Sequence, residues 1–141
     1  MKPNGRLRSD DTRRSTILEK EISYSIVGAF FQVYNELGFG FLESIYARAL
    51  EVALGEKGLL VQREVPITVV FHGVEVGQHR LDMLVEHRIV LEIKSTERIN
   101  DIPKRQLRNY LNALRLELGM VLHFGPRAEY HRVLAAKKVE F

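Results

Sequence analysis

At 141 residues, 45% hydrophobic and 28% charged, the chain has the size and composition of one globular domain that buries roughly two-thirds of its unfolded surface. It has no cysteine, which excludes disulfides and thiolate metal sites and suits a reducing cytoplasm. No apolar run approaches the ~18 residues that span a bilayer, no signal-peptide core opens the chain, and the net charge of +3 admits a nucleic-acid partner without requiring one.

Residues 1–15 are polar, carry five basic residues and show no apolar period, so they are expected to form a flexible basic arm. Such an arm either seeks phosphate or only solubilises. The rest, 16–141, is expected to be a single domain. From about Thr16, Ile22, Ile26, Ala29, Val33 and Leu37 recur at helical spacing, with Gly38 as a stop. A second helix is predicted from Phe41 to about Lys57, turning Ile45, Ala49, Val52 and Ala53 inward. "VQREVPITVVF" then reads as a strand, at a sheet edge or with a bulge, because Pro66 lacks a backbone donor. "QHRLDMLVE" and "IVLEIKS" read as a hairpin about His87 and Arg88. A helix follows from about Ile102 to Leu116, with Pro103 in its first turn, and "LGMVLHF" and "YHRVLA" supply one or two more strands. The order is α, α, three strands, α, then strand, which is a mixed α/β domain.

Asp82, Glu92 and Lys94 lie within the hairpin, where charge is costly unless paired or bound to something. Glu92 and Lys94 share a strand face. Asp82 joins them only if the hairpin loop has an odd number of residues or carries a bulge; a two-residue loop would turn it away. If the three converge, two adjacent carboxylates repel and are relieved by a divalent cation, with hard oxygens suiting Mg²⁺ or Mn²⁺. A neighbouring ammonium can then orient a water or offset charge on a phosphate. The bland alternative is an ordinary Lys–Glu pair, since an acid-x-Lys triplet alone is unspecific.

Two more elements bear on this. Gln106 and Tyr110 are four apart on the third helix and share a face, able to bond a water, a metal ligand or a phosphate, or simply to reach solvent. Glu43 opens the second helix, where a carboxylate suits the helix dipole and can cap the amide of Gly40; it can equally add a third carboxylate to the site.

Gly40-x-x-Glu43-x-x-Tyr46 in "ELGFGFLESIYARALEVAL" resembles the GxxExxY family of the PD-(D/E)XK nuclease superfamily, and the likeness covers roughly residues 17 to 134. The resemblance implies a restriction-endonuclease-like core, an α/β (α+β) fold with a small mixed sheet flanked by helices. It implies that Asp82 and Glu92 bind metal, that Glu43 completes the carboxylate set, and that the Ile93 carbonyl also ligates. Lys94 is implied as the catalytic lysine, and Gln106 with Tyr110 as the Q-x-x-x-Y element. No proline precedes Asp82, a departure that many superfamily members share. The implied function is Mg²⁺- or Mn²⁺-dependent hydrolysis of phosphodiester bonds, in DNA more than in RNA, with no membrane. The alternative is a non-catalytic module binding nucleic acid or protein. A homodimer would supply the substrate-selecting surface that so small a chain lacks.

Overall fold

The computed structural model describes residues 5–135, with side chains from Ile17 onward. Helix α1 spans Gly5–Leu37, α2 Glu43–Glu56, and strands β1 Val61–Phe71, β2 Val74–Val85 and β3 Ile89–Lys94 follow. Helix α3, Ile102–Leu114, leads to β4, Leu118–Phe124, and β5, Ala128–Leu134.

The first helix begins at Gly5 instead of near Thr16, so helical backbone runs through most of the segment expected to be an arm. Nothing between Gly5 and Gly28 breaks a helix: the stretch has neither proline nor glycine. Residues 1–4, and the side chains through 16, lie outside the described residues. At the other end Gly38 takes φ 72°, and its amide closes on the Tyr34 carbonyl at 2.8 Å.

The strands form one sheet in the order β1-β2-β3-β4-β5. Every neighbouring pair is antiparallel except β3–β4, which is parallel and bridged by α3. Pro66 sits on edge strand β1, as its missing donor demands. His72 and Gly73, both at positive φ, make the tight turn into β2.

Helices cover both sheet faces, which is why β3 and β4 are buried nearly throughout. Ile89, Leu91 and Ile93 alternate into a core shared with α1 and α2, while Val90 faces the core under α3. Gly119 lets α3 approach closely, since a Cβ there would meet Leu107 at 2.9 Å. The inward stripe of α2 is Tyr46, Ala47, Leu50, Ala53 and Leu54, which shares only Ala53 with the one expected: Ile45 and Val52 are exposed and Ala49 is half-buried. The ring of Tyr46 decides the rotation, stacking on Phe124 at 4.2 Å between centroids. With Leu50 and Leu54 it forms an i, i+4, i+8 row.

Candidate active site

The loop between β2 and β3 contains three residues, Glu86, His87 and Arg88, because Val85 pairs with Ile89. Glu86 and His87 both have positive φ, and Arg88 then donates to the Val85 carbonyl at 3.0 Å. The loop is therefore odd, the condition the sequence set for bringing Asp82 to Glu92. The pairs Met83–Leu91 and Leu84–Val90, continued outward, put Asp82 opposite Glu92.

Regular pairing stops at that point. Asp82 Oδ2 instead accepts the backbone N–H of Ile93 at 2.7 Å. The neighbouring strand is irregular at the same level: Glu64 lies between the pairs Arg63–Met83 and Val65–Leu81, with φ 52°. The strand also turns over here. Leu81 belongs to the core under α3 and Met83 to the core under α1 and α2, although they are two residues apart. Asp82 thus stands where β2 passes from one face to the other.

Glu92 is only 8% exposed, and its Oε1 has no hydrogen-bond partner. Burial raises its pKa to about 8; the charge of Asp82 and a hydrogen bond with it push the same way, and Lys94 partly opposes them. Tyr110 also feels this group, its pKa raised by burial and then by the charge of Glu92. Glu92 is consequently the electrostatic hub joining Asp82, Lys94 and Tyr110.

Glu43 reaches the site from α2. Its Oε1 accepts the N–H of Ser95, just past the end of β3, at 3.4 Å, rather than the amide of Gly40. Glu43 and Asp82 line a cavity of about 170 Å³ with Ser44, Ala47, Arg63, Glu64 and Ile93. The aromatic residue of the same motif has a structural task. Tyr46 hydroxyl donates to the Gly38 carbonyl and accepts from Phe41 N–H at 3.2 Å, closing the turn that delivers Glu43.

Lys94 and Gln106 line a second cavity, about 250 Å³, with Thr96, Arg98, Asn100 and Pro103 among its walls. Gln106 is exposed and Tyr110 half-buried. The Tyr110 ring is stacked on His79, centroids 4.0 Å apart. Of the six expected residues, Glu43 and Asp82 thus share one recess and Lys94 and Gln106 another, while Glu92 interacts electrostatically with Asp82, Lys94 and Tyr110.

Among the described residues, no three or more of His, Asp and Glu are gathered so as to hold a metal ion. Asp82 Oδ2 is taken by Ile93, and Glu43 by Ser95. The donor set nevertheless fits a hard divalent cation: Glu92 Oε1 is a buried oxygen without a partner, beside a second carboxylate. Asp82 and Glu92, with the Ile93 carbonyl and Glu43, would hold it.

Sequence reasoning passed over Arg63 and Glu64, which share the carboxylate cavity, and His79. The alternation of β1 concealed the first two, and the contact of His79 with Tyr110 joins distant segments. The basic residues of α3 are partly committed: Lys104 lies 3.7 Å from Asp101, and Arg108 donates to the Leu134 carbonyl. Arg80 lies 4.0 Å from Glu64 on the surface.

No curated protein matches the chain. A solved structure titled "Crystal structure of SSO0001" is similar, with 25% identity and a TM-score of 0.52 over 67% of this chain. The matched part is 50% of that solved chain, so this chain spans about half its length. Among the described residues, three helices about a five-stranded mixed sheet make an α+β fold consistent with a restriction-endonuclease-like core. A family model described as PD-(D/E)XK nuclease superfamily matches residues 20–133 and so spans both recesses; the chain belongs to that superfamily.

Proposed function

We propose that this protein is a divalent-metal-dependent nuclease that hydrolyses phosphodiester bonds, in DNA by preference, and that it is a GxxExxY-type member of its superfamily. The observation that carries the reading is Glu92: a buried carboxylate, with one oxygen unpartnered, between Asp82 and Lys94. Structural ion pairs do not ordinarily leave such an oxygen unsatisfied.

Bound Mg²⁺ or Mn²⁺ would supply Lewis acidity and lower the pKa of water. Asp82 and Glu92 would hold it, aided by Glu43 and the Ile93 carbonyl. Lys94 would position the attacking water and offset the negative charge that builds on the phosphate. Gln106 and Tyr110 would orient the phosphate from the α3 side, with His79 stacked behind Tyr110. No helix among the described residues is long and apolar enough to cross a membrane. A second copy of the chain would extend a small substrate surface.

A second reading, a nucleic-acid- or protein-binding module without cleavage, draws on one observation: Asp82 is already engaged with Ile93 and no three-carboxylate cluster is preassembled among the described residues. A cleavage assay separates the two. Single-stranded DNA, duplex DNA and RNA are incubated with Mg²⁺, Mn²⁺ or EDTA, using wild type, Lys94→Ala and Asp82→Asn. Metal-dependent cutting lost in both variants supports the nuclease. Absence of cutting, with no divalent-metal binding by calorimetry, leaves the module.

A further inference from the structure

Beyond Lys94 lies a third cavity, about 410 Å³, lined by Arg98, Ile99, His123 and Arg127, together with Glu97, Pro126 and Glu129. It shares the Arg98–Ile99 wall with the recess of Lys94 and Gln106. His123 is the register partner of Lys94 on the adjacent parallel strand. Strands in a sheet lie about 4.8 Å apart, and paired residues project to the same face. The cavity is thus one strand beyond the lysine proposed to act on the scissile phosphate.

His123 is built into this cavity. The residue is only 3% exposed. Its Nε2 lies 2.5 Å from the Thr96 carbonyl and 3.3 Å from Thr96 Oγ1. A carbonyl only accepts, so Nε2 carries a proton and donates. Nδ1, on the other side of the ring, is buried and has no partner. Gly125 keeps room for the ring, since a Cβ there would meet His123 at 2.6 Å. The ring is thus held by one nitrogen and leaves the other with an unused hydrogen-bonding capacity.

We infer that the cavity formed by Arg98, His123 and Arg127 binds a second phosphate of the substrate, next to the one held at Lys94. The inference rests on the nuclease reading for its substrate. Arg98 and Arg127 are exposed and supply forked donors suited to phosphate oxygens. With the proton on Nε2, Nδ1 is an acceptor for the hydroxyl of a phosphate monoester, while the arginines suit either kind of phosphate. Glu97 and Glu129 share the wall, and Glu129 lies 3.9 Å from His131 Nε2. Their charge balances the arginines, so hydrogen bonds from individual donors rather than a diffuse positive field would select one phosphate. The phosphate is either the next phosphodiester of the chain or a terminal monoester.

The test measures binding in EDTA, where metal-dependent cutting is absent. Single-stranded oligodeoxynucleotides with a 5′-phosphate or a 5′-hydroxyl are titrated by fluorescence anisotropy over a range of salt. Wild type is compared with Arg98→Gln, Arg127→Gln and Arg48→Gln, the last an exposed arginine paired with Glu51 on α2. Each of the first two is expected to weaken binding roughly three- to tenfold and to flatten the salt dependence by about 0.7 in log–log slope, while Arg48→Gln changes neither. A loss confined to the 5′-phosphorylated strand assigns a terminal phosphate; an equal loss on both assigns an internal one. The ¹⁵N resonance of His123 Nδ1 in folded wild type should shift when inorganic phosphate is added. Unchanged affinity and slope in both arginine variants, an equal effect from Arg48→Gln, or a silent Nδ1 would each overturn the subsite. Binding is read without cleavage, so a protein that binds through Arg98 and Arg127 yet never cuts keeps the subsite and loses the nuclease.

Discussion

Asp82 accepts the amide hydrogen of Ile93 at 2.7 Å, across the point where strands β2 and β3 stop pairing. One side chain thereby does the work of a lost ladder bond and presents its other carboxylate oxygen to the site. Structure and chemistry meet in a single residue, and substitutions can separate them.

Asp82→Asn keeps an oxygen for Ile93 and is expected to hold stability within about 1 kcal/mol of wild type. Asp82→Ala strands the amide and should cost about 1–3 kcal/mol. Both should abolish cleavage. Urea denaturation beside the cleavage assay checks the pair; equal stability of the two variants would contradict the bridging role.

Glu92 makes stability depend on pH in a direction unusual for a carboxylate. Its folded pKa, about 8, lies above its unfolded value, so between about pH 4.5 and 8 the folded state binds the extra proton. Stability therefore falls as pH rises through that window, by a few kcal/mol at most, and levels off above it. Denaturation in EDTA across pH 5–8 should show the decline in wild type and not in Glu92→Gln. Adding Mg²⁺ at pH 8 should restore stability to wild type by mass action.

Tyr46 holds the turn before Glu43 through its hydroxyl and the core through its ring. Tyr46→Phe should cost about 1–2 kcal/mol by releasing Gly38 and Phe41, and it should lower activity by loosening Glu43. Tyr46→Ala also empties a buried volume against Phe124, costing about 3–5 kcal/mol. Thermal melts of the two variants check the order.

His79 supports Tyr110 by stacking and is not among the proposed metal ligands. His79→Ala is expected to reduce cleavage several-fold, and His79→Phe, which restores a ring face, to recover most of it. Loss of activity in both variants alike would mean that the imidazole nitrogens, not the stack, matter.

Much of this was legible from residue types. Element order and kind follow from hydrophobic period, and Pro66 restricts β1 to a sheet edge or a bulge, of which the sheet order shows the edge. The hairpin posed a conditional that the three-residue loop resolved, through positive φ at Glu86 and His87 that neither residue type advertises. The inward face of α2 was misjudged because aliphatic residues at Ile45 and Val52 outweighed a tyrosine whose partner, Phe124, is far along the chain. His79 and His123 carry no local signal; their relevance comes from neighbours brought close only by the sheet and α3. Long-range contacts of this kind leave no local period to read.

The single parallel step of the sheet, β3 to β4 by way of α3, has one more implication. Because α3 is the connection that reverses the chain, Asp82, Glu92, Lys94, Gln106 and Tyr110 occupy one uninterrupted stretch, and Glu43 alone is imported from elsewhere. The proposed centre, encoded this contiguously, should act as a portable cassette: exchanging residues 82–110 between related frames is expected to carry the chemistry with it, provided the host offers a carboxylate where Glu43 stands.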